Sequence, residues 1–317
     1  MKKSAENESL FVNRLWQYQS ERFPVFVHGL SIAPLAFASL AVSRALRGEP
    51  TFVPLLPLLG SIVCVVLAFF ILRVCDEFKD NADDTLYRPD RPVPRGLISL
   101  RELFWCAVIS CMIQAALTFA INPAALPYLG LVWLYTYLMR REFFIPDQIK
   151  KHPIAYMVSH MVIMPLITLY ATSMDWAAHT RTPVPQLGAF LLLSFFGGMI
   201  IEVGRKIRIP ADEQNGVQTY SSLFGPRRAA LLWLGILFTS AVFASMVANN
   251  HAPGSAMVIL LTLCLCTASP ALIYILNPHS TKGTIIELFS GLWILLMYTL
   301  IGFLASGLFR QLPGLSL

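Results

Sequence analysis

VPLLPLLGSIVCVVLAFFILRVCDEFKDNADDTLYRPDRPVPRG, residues 53–96, joins an apolar run to a cluster of carboxylates and then to a tail of arginine and proline. About 20 consecutive apolar residues cross a hydrocarbon core roughly 30 Å thick. Residues 53–75 supply them, with Arg73 as the one charge. Five acidic residues follow within nine positions: Asp76, Glu77, Asp80, Asp83 and Asp84. If the helix of the apolar run continues to Asp84, then Asp76, Asp80 and Asp84 sit at i, i+4 and i+8 on one face. Carboxylates stacked in that way repel one another unless a cation lies between them. Hard oxygen ligands suit Mg²⁺, which takes one or two protein carboxylates and completes its octahedron with water and a substrate's phosphates. The prolines at 89, 92 and 94 then force an extended loop, since each lacks an N–H and disfavours helix in the residue before it.

Outside this stretch the composition is that of a membrane protein. Of the 317 residues 56% are hydrophobic and 13% charged, against roughly 25% charged in an average soluble domain. Nine apolar runs are present, at about 25–46, 53–75, 102–121, 124–139, 154–173, 187–204, 228–248, 256–277 and 285–308, the fourth being the shortest. The expected fold is all-α: a polytopic membrane protein with nine transmembrane helices bundled around a central apolar chamber. No segment between runs exceeds about 26 residues, so residues 23–317 are expected to form one membrane domain, preceded by an N-terminal segment, 1–22.

The formal net charge is +6, but its distribution argues for a bilayer rather than for nucleic acid as the partner. With nine spans, 20 of the 24 Lys and Arg residues fall on one side, and only Arg44, Arg47, Arg181 and Arg310 fall on the other. Positive charge marks the cytoplasmic side. The N-terminus and the 2–3, 4–5, 6–7 and 8–9 loops are therefore expected in the cytoplasm, in a multi-pass protein of the cell inner membrane. Residues 1–22 are polar and resemble no cleavable signal. With Trp16 and Tyr18 beside Arg14 and Arg22, they fit either a segment lying at the membrane surface or a loosely ordered tail. The six cysteines lie in or at the ends of apolar runs without a CxxC pair, which fits small core residues rather than metal ligands.

The charged loops hold nearly every ionisable group. Between spans 4 and 5 stand Arg140, Arg141, Glu142, Asp147, Lys150 and Lys151. Span 6 runs into EVGRKIRIPADEQNGVQTYSSLFG, residues 202–225, where Glu202, Asp212 and Glu213 are interleaved with Arg205, Lys206 and Arg208. Carboxylates that hold Mg²⁺, with Arg and Lys for phosphate oxygens, are the parts needed to bind a diphosphate and stabilise it as a leaving group. His28 and His160 lie within apolar runs, where an ionisable residue is either functional or hydrogen-bonded to a neighbouring helix.

These residues resemble the UbiA superfamily of intramembrane prenyltransferases, whose members have nine transmembrane helices and two aspartate-rich motifs on the 2–3 and 6–7 loops. The family's NDxxDxxxD motif and RP-x-P-x-G tail are similar to Asp76, Glu77, Asp80 and Asp84 followed by Arg91-Pro92-Val93-Pro94-Arg95-Gly96. Asp76 stands where the family usually has Asn, and Glu77 where it has Asp. The second motif matches at Asp212, Gly216, Thr219 and Gly225, but Arg208 takes the place of its first carboxylate. Either Glu202 substitutes, or Arg205, Lys206 and Arg208 bind phosphate in place of one metal.

The resemblance implies transfer of a prenyl group from a polyprenyl diphosphate to a small aromatic or quinone-precursor acceptor. It implies two Mg²⁺ ions, held among Asp76, Glu77, Asp80, Asp84, Glu202 and Asp212. The diphosphate would be met by Lys79, Arg88, Arg91, Arg95, Arg205, Lys206 and Arg208, with Asp80 and Asp84 acting at the reaction centre. Glu142 orients the acceptor or takes its proton, or else only pairs with Arg141. The competing reading is a cation-binding transporter or channel. Transporters place charged sites near the bilayer midplane in repeated halves, whereas here the acids gather at one interface without an internal repeat. A CDP-alcohol phosphotransferase also uses membrane aspartates, but its DG and AR pairs are missing.

Overall fold

The computed structural model describes residues 10–49, 52–180, 182–213, 217–249, 254–278 and 283–307. Every regular element among them is helical. A surface helix, α1 (Phe11–Arg22), leads into α2 (Val25–Leu46) and α3 (Leu55–Lys79). A short α4 (Asn81–Tyr87) carries the end of the acidic stretch, and α5 (Leu100–Ile121) and α6 (Leu126–Arg140) form the next hairpin. After α7 (Pro146–Ile149) come α8 (Pro153–Met161), α9 (Ile163–Trp176), α10 (Leu187–Gly204) and α11 (Tyr220–Phe224). The chain closes with α12 (Pro226–Asn249), α13 (Ser255–Leu276) and α14 (Gly283–Ala305).

Among the described residues eight helices are long and apolar enough to cross a membrane, α8 and α9 counting as one. The fourth run forms the 15-residue α6, about 22 Å at 1.5 Å per residue and shorter than the other spans. All nine runs are thus helical, and the protein is an integral membrane protein. The fifth run is broken at Val162 because Pro165 has no N–H to give to the carbonyl four residues back. The six cysteines are free thiols.

The first and last spans close the bundle on each other, since α2 packs most extensively against α14, while α10, α12 and α13 form a second packed set and α3 lies against α5. Trp233, Trp293, Phe190 and Tyr298 are fully buried between them. At the end away from the acidic stretch, Asp175 is clamped by Arg47 at 3.0 Å and accepts from Ser43 at 2.6 Å, tying α9 to α2. At the charged end, Gly283 abuts the 6–7 loop so closely that a Cβ there would lie 2.1 Å from the carbonyl oxygen of Ile207. Only glycine lets α14 start against that backbone.

Residues 10–22 of the N-terminal segment pack against this end. Helix α1 lays Tyr18, with no exposed surface, against Val74, Ile98 and Leu103. Arg14 pairs with Glu102 at 2.7 Å and donates to the carbonyl of Leu97 at 3.2 Å, while Glu21 accepts from Arg95 at 2.7 and 2.8 Å. The segment therefore straps the loop that follows the acidic stretch. An apolar groove of about 400 Å³ opens beside it between α3, α5 and α6, with Arg140 over the ring of Phe78 at its charged end.

Candidate active site at the charged end of the bundle

Helix α3 does not run on to Asp84. Its ladder hydrogen bonds persist, Asp80 N–H to Asp76 and Asp84 N–H to Asp80, each 2.8 Å, but Asp80 has φ −94° and ψ 3°, which bends the backbone out of the helix there before α4 begins. The five acids are thereby split. Asp76 and Asp80 keep 40% and 43% of their side-chain surface exposed, whereas Glu77 keeps 1% and Asp84 3%. Glu77 is held by Arg22 of α1 at 2.7 Å. Asp84 is held by Arg91 at 2.5 Å, Arg88 at 3.2 Å and, more loosely, Arg22 at 4.0 Å. The repulsion expected of three stacked carboxylates is relieved by the bend and by arginines.

Asp76 and Asp80 share another cation. Lys79 Nζ lies 3.4 Å from Asp76 and 3.7 Å from Asp80, and it donates to the Tyr156 hydroxyl at 3.0 Å. Arg73 adds a longer contact to Asp76 at 3.9 Å. Burial pushes the Asp80 carboxyl above the usual aspartate range; Lys79 works against that rise, and Asp76 and Asp84 add to it.

The second acidic segment faces Asp76 with its basic residues. Glu202, buried at the end of α10, is paired with Arg205 and with Lys206, the latter at 2.7 Å. Arg205 interacts electrostatically with Asp76 across the gap between the two segments. Arg208 points toward Glu287 of α14 at 3.7 Å, and its carbonyl accepts from the Tyr274 hydroxyl at 2.7 Å. A capping box at Thr219 starts α11, and the same hydroxyl donates to Glu213 at 2.7 Å. Asp212 sits exposed on a 3₁₀ turn, apart from Glu202. Gly216 lies outside the described residues.

The site residues expected from the sequence thus fall into three groups. Asp76, Asp80, Lys79, Arg205, Lys206 and Glu202 gather at the gap. Glu77, Asp84, Arg88, Arg91 and Arg95 are consumed by one another or by α1, while Arg208 and Asp212 lie farther along the 6–7 loop.

The 4–5 loop forms the third wall. Glu142, Phe143 and Phe144 have φ of 46°, 56° and 60° in succession, a left-handed run that costs non-glycine residues of order 1–3 kcal/mol each. The turn buries Glu142, which pairs with Lys150 at 3.2 Å and not with Arg141. It also sets the edge of Phe143 against His160, with ring centroids 5.7 Å apart. His160 stacks on Tyr156 at 3.9 Å. His28, the other histidine in an apolar run, is exposed and stacks on Phe23 at 4.7 Å.

A family profile, the UbiA prenyltransferase family, matches residues 34–289. The chain belongs to the UbiA family. No curated protein sequence matches it, but solved UbiA structures share its fold. The apo structure of a UbiA homolog from Aeropyrum pernix K1 superposes with a TM-score of 0.65 at 16% identity, over 90% of this chain and 98% of that one. A digeranylgeranylglyceryl phosphate synthase gives 0.60 at 15% identity, over 93% and 98%. A UbiA homolog from Archaeoglobus fulgidus, solved with DMAPP and Mg²⁺, gives 0.50 at 15% identity, over 86% and 98%. Helix α1 lies outside the profile match. Arg22, Tyr156 and Phe143 are site-shaping residues of this UbiA protein that sequence reasoning missed; nothing in the local sequence links Arg22 to a carboxylate 55 positions away.

Proposed function

We propose that the protein transfers a prenyl group from a polyprenyl diphosphate to a small acceptor, aromatic or a quinone precursor, at the charged end of the bundle. The observation that carries this reading is the pairing of Asp76 and Asp80 around one cation, opposite Arg205 and Lys206. The donor set fits Mg²⁺: two hard carboxylates, partly exposed, one helical turn apart. Among the described residues no group of three or more His, Cys, Asp and Glu converges, which suits an ion completed by water and the donor's phosphates rather than a protein cage. When bound there, Mg²⁺ would neutralise charge developing on the departing diphosphate. The Archaeoglobus homolog's ligands, DMAPP and Mg²⁺, support the same assignment.

This chain's own residues do the rest. Asp76 and Asp80 hold the metal side. Lys79, Arg73, Arg205 and Lys206 bind phosphate oxygens, and the leaving group departs into that basic cluster. Glu202 keeps Arg205 and Lys206 in place, so the second motif acts as a basic clamp and one Mg²⁺ serves the site. Glu77 and Asp84 fix the bend through Arg22, Arg88 and Arg91. In the same reading residues 23–317 are one membrane domain of the cell inner membrane, with the charged loops and the N-terminus cytoplasmic, as the one-sided distribution of Lys and Arg supports.

The test is incubation of purified protein with Mg²⁺ and prenyl diphosphates of several lengths, reading diphosphate release and product with candidate phenols. The reading predicts Mg²⁺-dependent release that Asp76→Ala and Asp80→Ala abolish. No release from any donor, together with cation flux in proteoliposomes, would replace it with transport.

A further inference from the structure

Within the 4–5 wall His160 holds a polar atom that the protein leaves unused. His160 is 6% exposed. Its Nδ1 lies 2.8 Å from the carbonyl oxygen of Tyr156. A carbonyl only accepts, so Nδ1 carries the hydrogen and, in the neutral ring, the lone pair is on Nε2. That Nε2 is buried and has no partner among the described residues. Buried polar atoms are rarely left so, and one that is calls for a specific account.

The ring is also fixed in place. Tyr156 stacks on one face at 3.9 Å, and Phe143, presented by the left-handed turn, meets it edge-on at 5.7 Å. The Tyr135 hydroxyl donates to the carbonyl of Ser159 at 2.6 Å, which pins the helix turn that bears the histidine. The charged groups around His160 are Lys79, Asp76 and Glu202, one from the first acidic segment's lysine, one from its carboxylates and one from the second segment. Tyr156 receives Lys79 on its hydroxyl and His160 on its ring. The unused lone pair therefore belongs to a ring held between aromatic walls beside Lys79, Asp76 and Glu202.

We propose that His160, Tyr156 and Phe143 form the acceptor subsite, and that His160 Nε2 receives a hydrogen bond from a hydroxyl of the acceptor and takes its proton during transfer. The inference rests on the prenyl-transfer reading and adds the residues that meet its acceptor's hydroxyl group. The acceptor's O–H bond breaks, with the proton on Nε2 and the electron pair on the acceptor. The C1–oxygen bond of the donor breaks, with its pair leaving on diphosphate. The acceptor's oxygen, or in a phenol the conjugated ring carbon, forms the new bond to C1, and the ring-attack product tautomerises to the phenol without net change of atoms. Nε2 then yields its proton to water. One hydroxyl compound and one prenyl diphosphate give one prenylated product, one diphosphate and one proton.

The experiment uses purified full-length wild type, His160→Ala and His160→Gln. Geranyl diphosphate with Mg²⁺ serves as donor, and the acceptors are a panel of phenols and alcohols, each paired with its methyl ether. Binding of geranyl S-thiolodiphosphate with Mg²⁺ is measured in parallel and serves as the folding control. Wild type is expected to prenylate hydroxyl compounds and not their ethers. H160A should lower kcat for transfer by on the order of 10²-fold or more, the usual contribution of a positioned base. Its affinity for the thiolo analogue should stay within about 2-fold. H160Q, whose amide can hold the hydroxyl but not take its proton, should recover the acceptor KM and not kcat. Wild-type transfer rates in H160A, equal use of the ethers, or a wild type that prenylates no hydroxyl compound would overturn the proposal. Absence of Mg²⁺-dependent binding of the thiolo analogue to wild type would instead remove the prenyl-transfer reading on which it stands.

Discussion

Replacing Arg22 with alanine isolates the contact that ties α1 to the acidic stretch. Glu77 is 1% exposed, and Arg22, at 2.7 Å, is its partner among the described residues. Removing one member of a buried pair leaves an uncompensated charge and costs about 3–5 kcal/mol. Arg22 retains 14% of its side-chain surface, and Asp84 keeps Arg88 and Arg91, so water and neighbouring charge reach the vacated place. The lower end, about 3 kcal/mol, is therefore the expected loss. Replacing both partners with apolar residues of similar volume, Arg22→Met with Glu77→Leu, should return most of it, since a buried ion pair replaced whole is close to neutral. Thermal and denaturant unfolding of wild type, R22M, E77L and the double variant in detergent gives the coupling energy, expected at about 2 kcal/mol or more. An R22A protein within about 0.5 kcal/mol of wild type, with additive single changes, would show that the strap carries no charge compensation.

Other consequences are equally direct. Asp80 must be ionised to hold a cation, and burial raises its carboxyl, so activity should fall with decreasing pH at a point above the usual aspartate value of about 3.9. Lys79→Met removes the charge that opposes the rise and should shift that acid limb upward in a kcat/KM profile; a downward shift would contradict the assignment. The Glu21 carboxyl is held below its ordinary value by the hydrogen bond from Arg95. Its contribution is therefore present above the unfolded value of about 4.3 and lost as pH falls through the folded one. Being partly exposed, the pair should contribute no more than about 0.2–1 kcal/mol, checked by comparing Glu21→Gln with wild type at pH 7 and pH 3. Gly283→Ala places a methyl against the Ile207 carbonyl and should cost about 1–3 kcal/mol as overpacking, read as a lowered unfolding temperature.

The spans were legible because an apolar run of bilayer length admits few other structures, and even the short fourth run is helical at Leu126–Arg140. The bend at Asp80 was not legible, since no proline or glycine marks it and the arginines that hold the acids on either side, Arg22, Arg88 and Arg91, reach them through the fold. For the same reason the sequence grouped Glu77 and Asp84 with Asp76 and Asp80, although the first pair turns inward to arginines and the second outward. Arg205 and Lys206 were recognisable as phosphate-binding candidates from their place after Glu202, but their ion pairs with it depend on the helical spacing at the end of α10. The left-handed turn at Glu142–Phe144 carries no glycine or asparagine to announce it. Tertiary packing of Phe143 against Tyr135 and His160 imposes it.

The most direct measurement of the central claim is calorimetric titration of geranyl S-thiolodiphosphate into the purified protein, with Mg²⁺ and with EDTA. Binding in Mg²⁺ that is lost in EDTA, and lost in Asp76→Ala and Asp80→Ala but retained in Asp212→Ala, is the predicted result. Binding indifferent to Mg²⁺, or undiminished when both Asp76 and Asp80 are replaced, would contradict it.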